Sequence, residues 1–135
     1  MSRMRRVEIA QETLAVIAQG CYTADSGKVV SLAAEQRAAE QGTVYCREGE
    51  LVDLLTEVLE GRFAGGCQAK VELVKQTTLE AARALIQDQG ESSVLALNFA
   101  SARNPGGGFL RGSQAQEESL ARSSGLYRCL VQHQD

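Results

Sequence analysis

Apolar residues recur at intervals of three and four from near the start of the chain. Val7, Ala10, Leu14 and Ile17 fall on one face of a helix predicted over residues 3–19, and Gly20 supplies its stop. Cys21-Tyr22 and Lys28-Val29-Val30 flank the turn-forming cluster Ala24-Asp25-Ser26-Gly27, the pattern of a small hairpin. Residues 32–41, rich in alanine and glutamate and closed by Gly42, predict a second helix, and the β-branched and aromatic residues of Thr43-Val44-Tyr45-Cys46 favour a strand. Leu51, Leu54, Leu55, Val58 and Leu59 make another helical stripe before Gly61. Phe63-Ala64-Gly65-Gly66 follows as a loop, and its paired glycines fit a plain turn better than a phosphate contact.

The pattern then alternates. Residues 70–74 predict a strand; Thr77 and Glu80 have capping-box spacing, and Leu79, Ala82 and Ile86 give the next helix an apolar face that Gly90 closes. Val94-Leu95-Ala96-Leu97 is a continuous apolar run, expected of a strand covered on both faces. Strand, helix and strand in that order imply a right-handed crossover and an α/β layered architecture. With no repeat or linker in 135 residues, a single domain is expected.

Composition narrows the function classes. A chain that is 44% hydrophobic and 23% charged folds rather than remaining disordered. Aromatics at 4%, the absence of tryptophan and a net charge of −3 leave no base-stacking platform and no basic surface for nucleic acid. The arginines at 3, 5 and 6 are followed by Val7-Glu8-Ile9 rather than a long apolar run, so neither a signal peptide nor a membrane span is expected, and the protein is placed in the cytoplasm. Cys21, Cys46, Cys67 and Cys129 are too far apart for a zinc or redox motif, and His133 is the only histidine, which removes the material for a histidine-based metal site or a serine triad.

The chemistry is concentrated after the apolar strand. Ligands of open α/β sheets bind beyond the carboxyl ends of strands, and residues 94–97 run straight into Asn98 and the segment Asn104-Pro105-Gly106-Gly107-Gly108. Three successive glycines cost backbone entropy, which close approach of their N–H groups to a bulky anion such as a diphosphate would offset; a mobile surface turn is the plainer reading. Ser113 and Gln116 have capping-box spacing, so a helix is predicted from Gln114 with Glu117 and Glu118 in its first turn. Acidic residues there commonly do no more than compensate the helix dipole. A carboxylic acid beside a sugar-binding loop is nevertheless what glycosidic cleavage requires, and with adjacent residues about 100° apart, one glutamate can hold while the other reacts.

Gly106-Gly107-Gly108, seven residues, then Gln116-Glu117-Glu118 resembles the signature of poly(ADP-ribose) glycohydrolases. The flanking residues 98–105 and 119–127 resemble the microbial branch. The resemblance implies a three-layer α/β/α macrodomain-like mixed sheet, with residues 1–66 as a helical and hairpin extension and 67–135 as the start of the core. It implies cleavage of ribose–ribose O-glycosidic bonds, releasing ADP-ribose, without metal or cofactor. By position, Glu118 would be the general acid, Glu117 would orient the ribose, Gln116 would support the loop, the three glycines would face the diphosphate, and Asn104 would reach a ribose. To act near neutral pH, Glu118 must keep its proton until the leaving oxygen takes it.

The family's domain continues past its glutamate pair with further strands, a second phosphate loop and an aromatic for adenine, none of which maps onto this chain. The fold is therefore expected to be incomplete at its C-terminus, with an open edge that invites pairing between copies. Beside the glycohydrolase reading stand an ADP-ribose-binding module without turnover and an inactive fragment. The expected partner is ADP-ribose or its polymer on modified proteins.

Overall fold

The computed structural model describes residues 1–62 and 69–132. In order, the elements are helix α1 (Arg3–Gln19), strands β1 (Cys21–Thr23) and β2 (Val29–Ser31), helices α2 (Ala33–Gln41), α3 (Glu48–Arg62) and α4 (Thr78–Gln87), a 3₁₀ turn (Phe109–Arg111), and helices α5 (Gln116–Ser123) and α6 (Leu126–Val131). They form two compact units, Met1–Thr43 with Thr77–Asp135, and Val44–Gln76.

In the first unit, Ser2 caps α1 by accepting the Arg5 N–H at 3.2 Å, and Gly20 ends it in the left-handed conformation with φ 72°. The Gly20 N–H donates to the Val16 carbonyl at 2.9 Å, a satisfied helix terminus at the predicted residue. The hairpin forms where expected, antiparallel with Tyr22 opposite Val30. Ala10, Phe109 and Ala121 are fully buried, with Leu14 and Tyr127 packed against them. The small side chains of Ala10 and Ala121 leave room for the Phe109 ring, which stacks on Tyr127 at 4.7 Å between centroids and 55° between planes, a tilted aromatic pair. Because Phe109 directly follows the three glycines, this core fixes the end of their loop. The capping box at α4 is complete: the Thr77 hydroxyl accepts the Glu80 N–H and the Glu80 carboxylate accepts the Thr77 N–H.

In the second unit, α3 begins where Glu50 accepts the Arg47 N–H at 2.8 Å, and Leu51, Leu54, Leu55 and Leu59 lie exposed. Lys70 and Glu72 form an exposed ion pair at 2.5 Å. The predicted loop at 63–66 lies outside the described residues, as do Cys67 and His133.

Three predicted strands differ. Residues 43–46, 70–74 and 94–97 carry no ladder, and among the described residues the strand pairing is confined to β1 and β2. Strand propensity becomes a strand only when neighbouring backbone supplies donors and acceptors. Instead of lying buried on both faces, Leu95 is 99% exposed and Leu97 is 68% exposed. The strand–helix–strand crossover is accordingly not formed among the described residues.

The last predicted helix starts at Gln116, not Gln114, and Ala115 at its cap makes no side-chain hydrogen bond. The backbone of Ser113 and the side chain of Gln116 are both bonded away from the expected capping box. Ser113 donates its N–H to the Gly108 carbonyl and its carbonyl accepts from Arg122, while the Gln116 amide bonds to Leu97, Phe99 and Thr78.

Candidate active site

The Gln116 side chain acts as a strand neighbour for the end of the apolar run. Its Oε1 accepts the Phe99 N–H at 2.7 Å, and its Nε2 donates to the Leu97 carbonyl at 2.7 Å and to the Thr78 hydroxyl at 3.0 Å. Between those two backbone contacts, the Oδ1 of Asn98 is buried and has no hydrogen-bond partner among the described residues. The Ser101 hydroxyl then accepts the N–H groups of Arg103 and Asn104 at 3.3 and 3.2 Å, turning the chain toward the glycines.

Glu117 and Glu118, both buried, grip the loop from the first turn of α5. Glu117, 3% exposed, uses both oxygens: Oε1 accepts the Gly106 N–H at 3.0 Å and Oε2 accepts the Ser101 N–H at 2.8 Å. Glu118 uses one, Oε1 accepting the Gly108 N–H at 3.0 Å; among the described residues Oε2 has no hydrogen-bond partner. The Gly107 N–H donates to the Asn104 carbonyl at 2.9 Å. All three glycine N–H groups are thus satisfied within the protein. The anions that the Gly106 and Gly108 N–H groups meet within the chain are the two carboxylates.

Glycine is required for that approach. Gly107 has φ 58°, and a Cβ there would stand 2.5 Å from Glu118 Oε1 and 3.1 Å from Glu117 Oε2. Gly106, at φ 70°, leaves no room for a Cβ either, which would meet the rings of Phe109 and Tyr127 at 3.0 Å. Asn104 contributes its backbone to the loop, and its side chain is exposed.

Arginines complete the site, and the sequence reading missed them. Arg3 donates to the Arg111 carbonyl at 2.9 Å; Arg6 donates to the Gly112 carbonyl at 2.7 Å and to Gln114 Oε1 at 2.9 Å. Arg122, 6% exposed, donates to the Ser113 carbonyl at 2.7 Å, and its own carbonyl accepts the Thr13 hydroxyl at 2.7 Å. Burial, then repulsion from Arg6, pulls the Arg122 guanidinium below the usual arginine range, and the attraction of Glu118 opposes them. The signal available in sequence was the spacing of Glu118 and Arg122, four apart on one helix. A groove of about 820 Å³ is lined by Ile9, Val16, Tyr22, Leu32 and Leu126 among others; it reaches the site only through Arg122 and Thr13, and neither glutamate lines it.

The chain is similar to known proteins over most of its length. Residues 10–135 match the family model described as "Microbial-type PARG, catalytic domain". No curated protein sequence matches. The crystal structure of poly(ADP-ribose) glycohydrolase (PARG) from Thermomonospora curvata is 45% identical with a TM-score of 0.83, over 94% of this chain and 45% of that one. The same enzyme bound to the inhibitor ADP-HPD is 44% identical with a TM-score of 0.79, over 94% of this chain and 43% of that one. The chain thus spans less than half the length of these relatives while sharing their fold across nearly all of its own. It belongs to the family of microbial-type poly(ADP-ribose) glycohydrolase catalytic domains.

Proposed function

We propose that the chain carries the acid-bearing part of a poly(ADP-ribose) glycohydrolase, with Glu118 as general acid in the hydrolysis of ribose–ribose O-glycosidic bonds. One observation carries the assignment: of two adjacent buried carboxylates, Glu117 has both oxygens on backbone N–H groups, whereas Glu118 keeps Oε2 without a hydrogen-bond partner among the described residues. The glutamate that holds the loop and the glutamate that reacts are thereby separated. Glu118 donates its proton to the departing ribose oxygen as positive charge develops on the sugar carbon; its carboxylate then takes a proton from the attacking water.

Glu117 fixes the loop, and the second lone pairs of its oxygens can still accept from a ribose hydroxyl. Gln116 supports the loop from behind. Gly106, Gly107 and Gly108 offer the diphosphate a surface without side chains, and Asn104 stands on that surface toward a ribose. The likeness to the solved glycohydrolase supports a three-layer α/β/α macrodomain arrangement as the setting of this site, with ADP-ribose units on modified proteins as the substrate. Incubation with labelled polymer tests the reading. Release of ADP-ribose that falls by about a hundredfold or more in Glu118→Ala and in Glu118→Gln supports it, because positioned proton transfer contributes on that order. Calorimetric binding of ADP-ribose without any release makes the chain a binding module, and neither binding nor release makes it inert.

A further inference from the structure

We infer that Arg122 and Arg6 form a clamp on the turn after the glycines that aims the Gly108 N–H at Glu118, making both arginines positioning residues for the proton donor. The inference rests on the reading of Glu118 given above. Three successive residues of the turn are held: Arg6 takes the Gly112 carbonyl and Gln114 Oε1, and Arg122 takes the Ser113 carbonyl between them.

The contacts through Arg122 close a ring. Glu118 Oε1 accepts from the Gly108 N–H, the Gly108 carbonyl accepts from the Ser113 N–H at 3.1 Å, and the Ser113 carbonyl accepts from Arg122, which lies one turn after Glu118 on α5. One helix therefore grips the loop at two points a turn apart. Gly108 has its carbonyl pinned by Ser113 and also by the Arg111 N–H at 3.0 Å, which fixes the rotation that directs its own N–H. Without the pin at Ser113 only the Arg111 N–H holds that carbonyl, and a glycine has the backbone freedom to turn its own N–H away.

Charge argues for the same role. Two guanidinium groups facing one turn repel each other, and a carboxylate at Glu118 attracts Arg122 against that repulsion. When the proton passes from Glu118 to the leaving oxygen, the carboxylate that remains interacts favourably with Arg122, an arrangement already in place before charge develops. A purely structural arginine would stabilise the fold without selecting one loop amide.

Hydrogen exchange at single amides separates the two cases. In Arg122→Met, the Gly108 amide is expected to exchange faster by at least about tenfold, while the Gly106 amide, whose acceptor Glu117 lies outside the ring, changes much less. Equal acceleration at both amides, or none at Gly108, overturns the inference. If Arg122→Met fails to fold, Arg122→Lys decides by the same pair: a smaller loss confined to Gly108 supports the clamp, and any other pattern rejects it. Where the wild-type chain releases ADP-ribose, kcat should fall with KM nearly unchanged; where it releases none, the glycohydrolase reading fails and the amides alone judge the clamp.

Discussion

At the scale of single residues, the site depends on which atom accepts from which. Glu117 satisfies two N–H groups that are five residues apart, at Ser101 and Gly106, and so acts as a fixed strut between the two ends of one loop. Gly107 sits beneath both carboxylates with a backbone that a side chain rarely adopts. Gly107→Ala is therefore expected to be destabilised by about 1–3 kcal/mol from the left-handed conformation, with the contact to Glu118 adding to that. Chemical denaturation measures the loss, and a stability equal to wild type would show that the loop relaxes elsewhere. The triple glycine and the two glutamates were legible as spacing, but that the Gly106 and Gly108 N–H groups serve the glutamates was not. A run of glycines announces close approach to something; it does not say to what.

Among the elements, helices governed by neighbours in sequence form at their predicted places. Helix α1 runs from Arg3 to Gln19 as its stripe and Gly20 require, and α4 follows Thr77 and Glu80. At α4 the Glu80 carboxyl is held below the usual carboxylate range, first by the Thr77 N–H and then by the Thr77 hydroxyl. A lowered value in the folded state means the contribution is full above the unfolded carboxylate value and is lost as pH falls through the folded one. The protection of the Thr77 amide, taken relative to its intrinsic exchange rate at each pH, should accordingly fall on acidification through that window, and Glu80→Gln, which can keep the capping box without the charge, should remove the dependence. Helix α5 starts later than its local signals suggest because Ser113 and Gln116 are drawn to distant partners. Capping signals decide a terminus only where no remote contact holds the side chain or the backbone of the capping residues.

Across the whole molecule, the core of the first unit is three fully buried residues, Ala10, Phe109 and Ala121, drawn from α1, the 3₁₀ turn and α5. The apolar run 94–97 stays without a ladder, with the Leu95 and Leu97 side chains exposed. Unpaired apolar backbone of this kind invites pairing between copies. Sedimentation should show concentration-dependent association that Leu95→Lys combined with Leu97→Lys abolishes; a monomer at all concentrations would remove these residues as the cause. The sequence by itself determined the first helix and its stop, the hairpin, the α4 cap, and the glycine loop followed by acidic residues in a first helical turn. Each is encoded by residues within a few positions of one another, where periodicity and capping operate. Only the tertiary structure decided that Arg6 holds Gly112, 106 positions away, that the Gly106 and Gly108 N–H groups face carboxylates, and that the apolar runs lack ladders. The reason is physical: a hydrogen bond between remote segments depends on which backbone groups the packed core brings within 3 Å or so, and no local pattern records that distance.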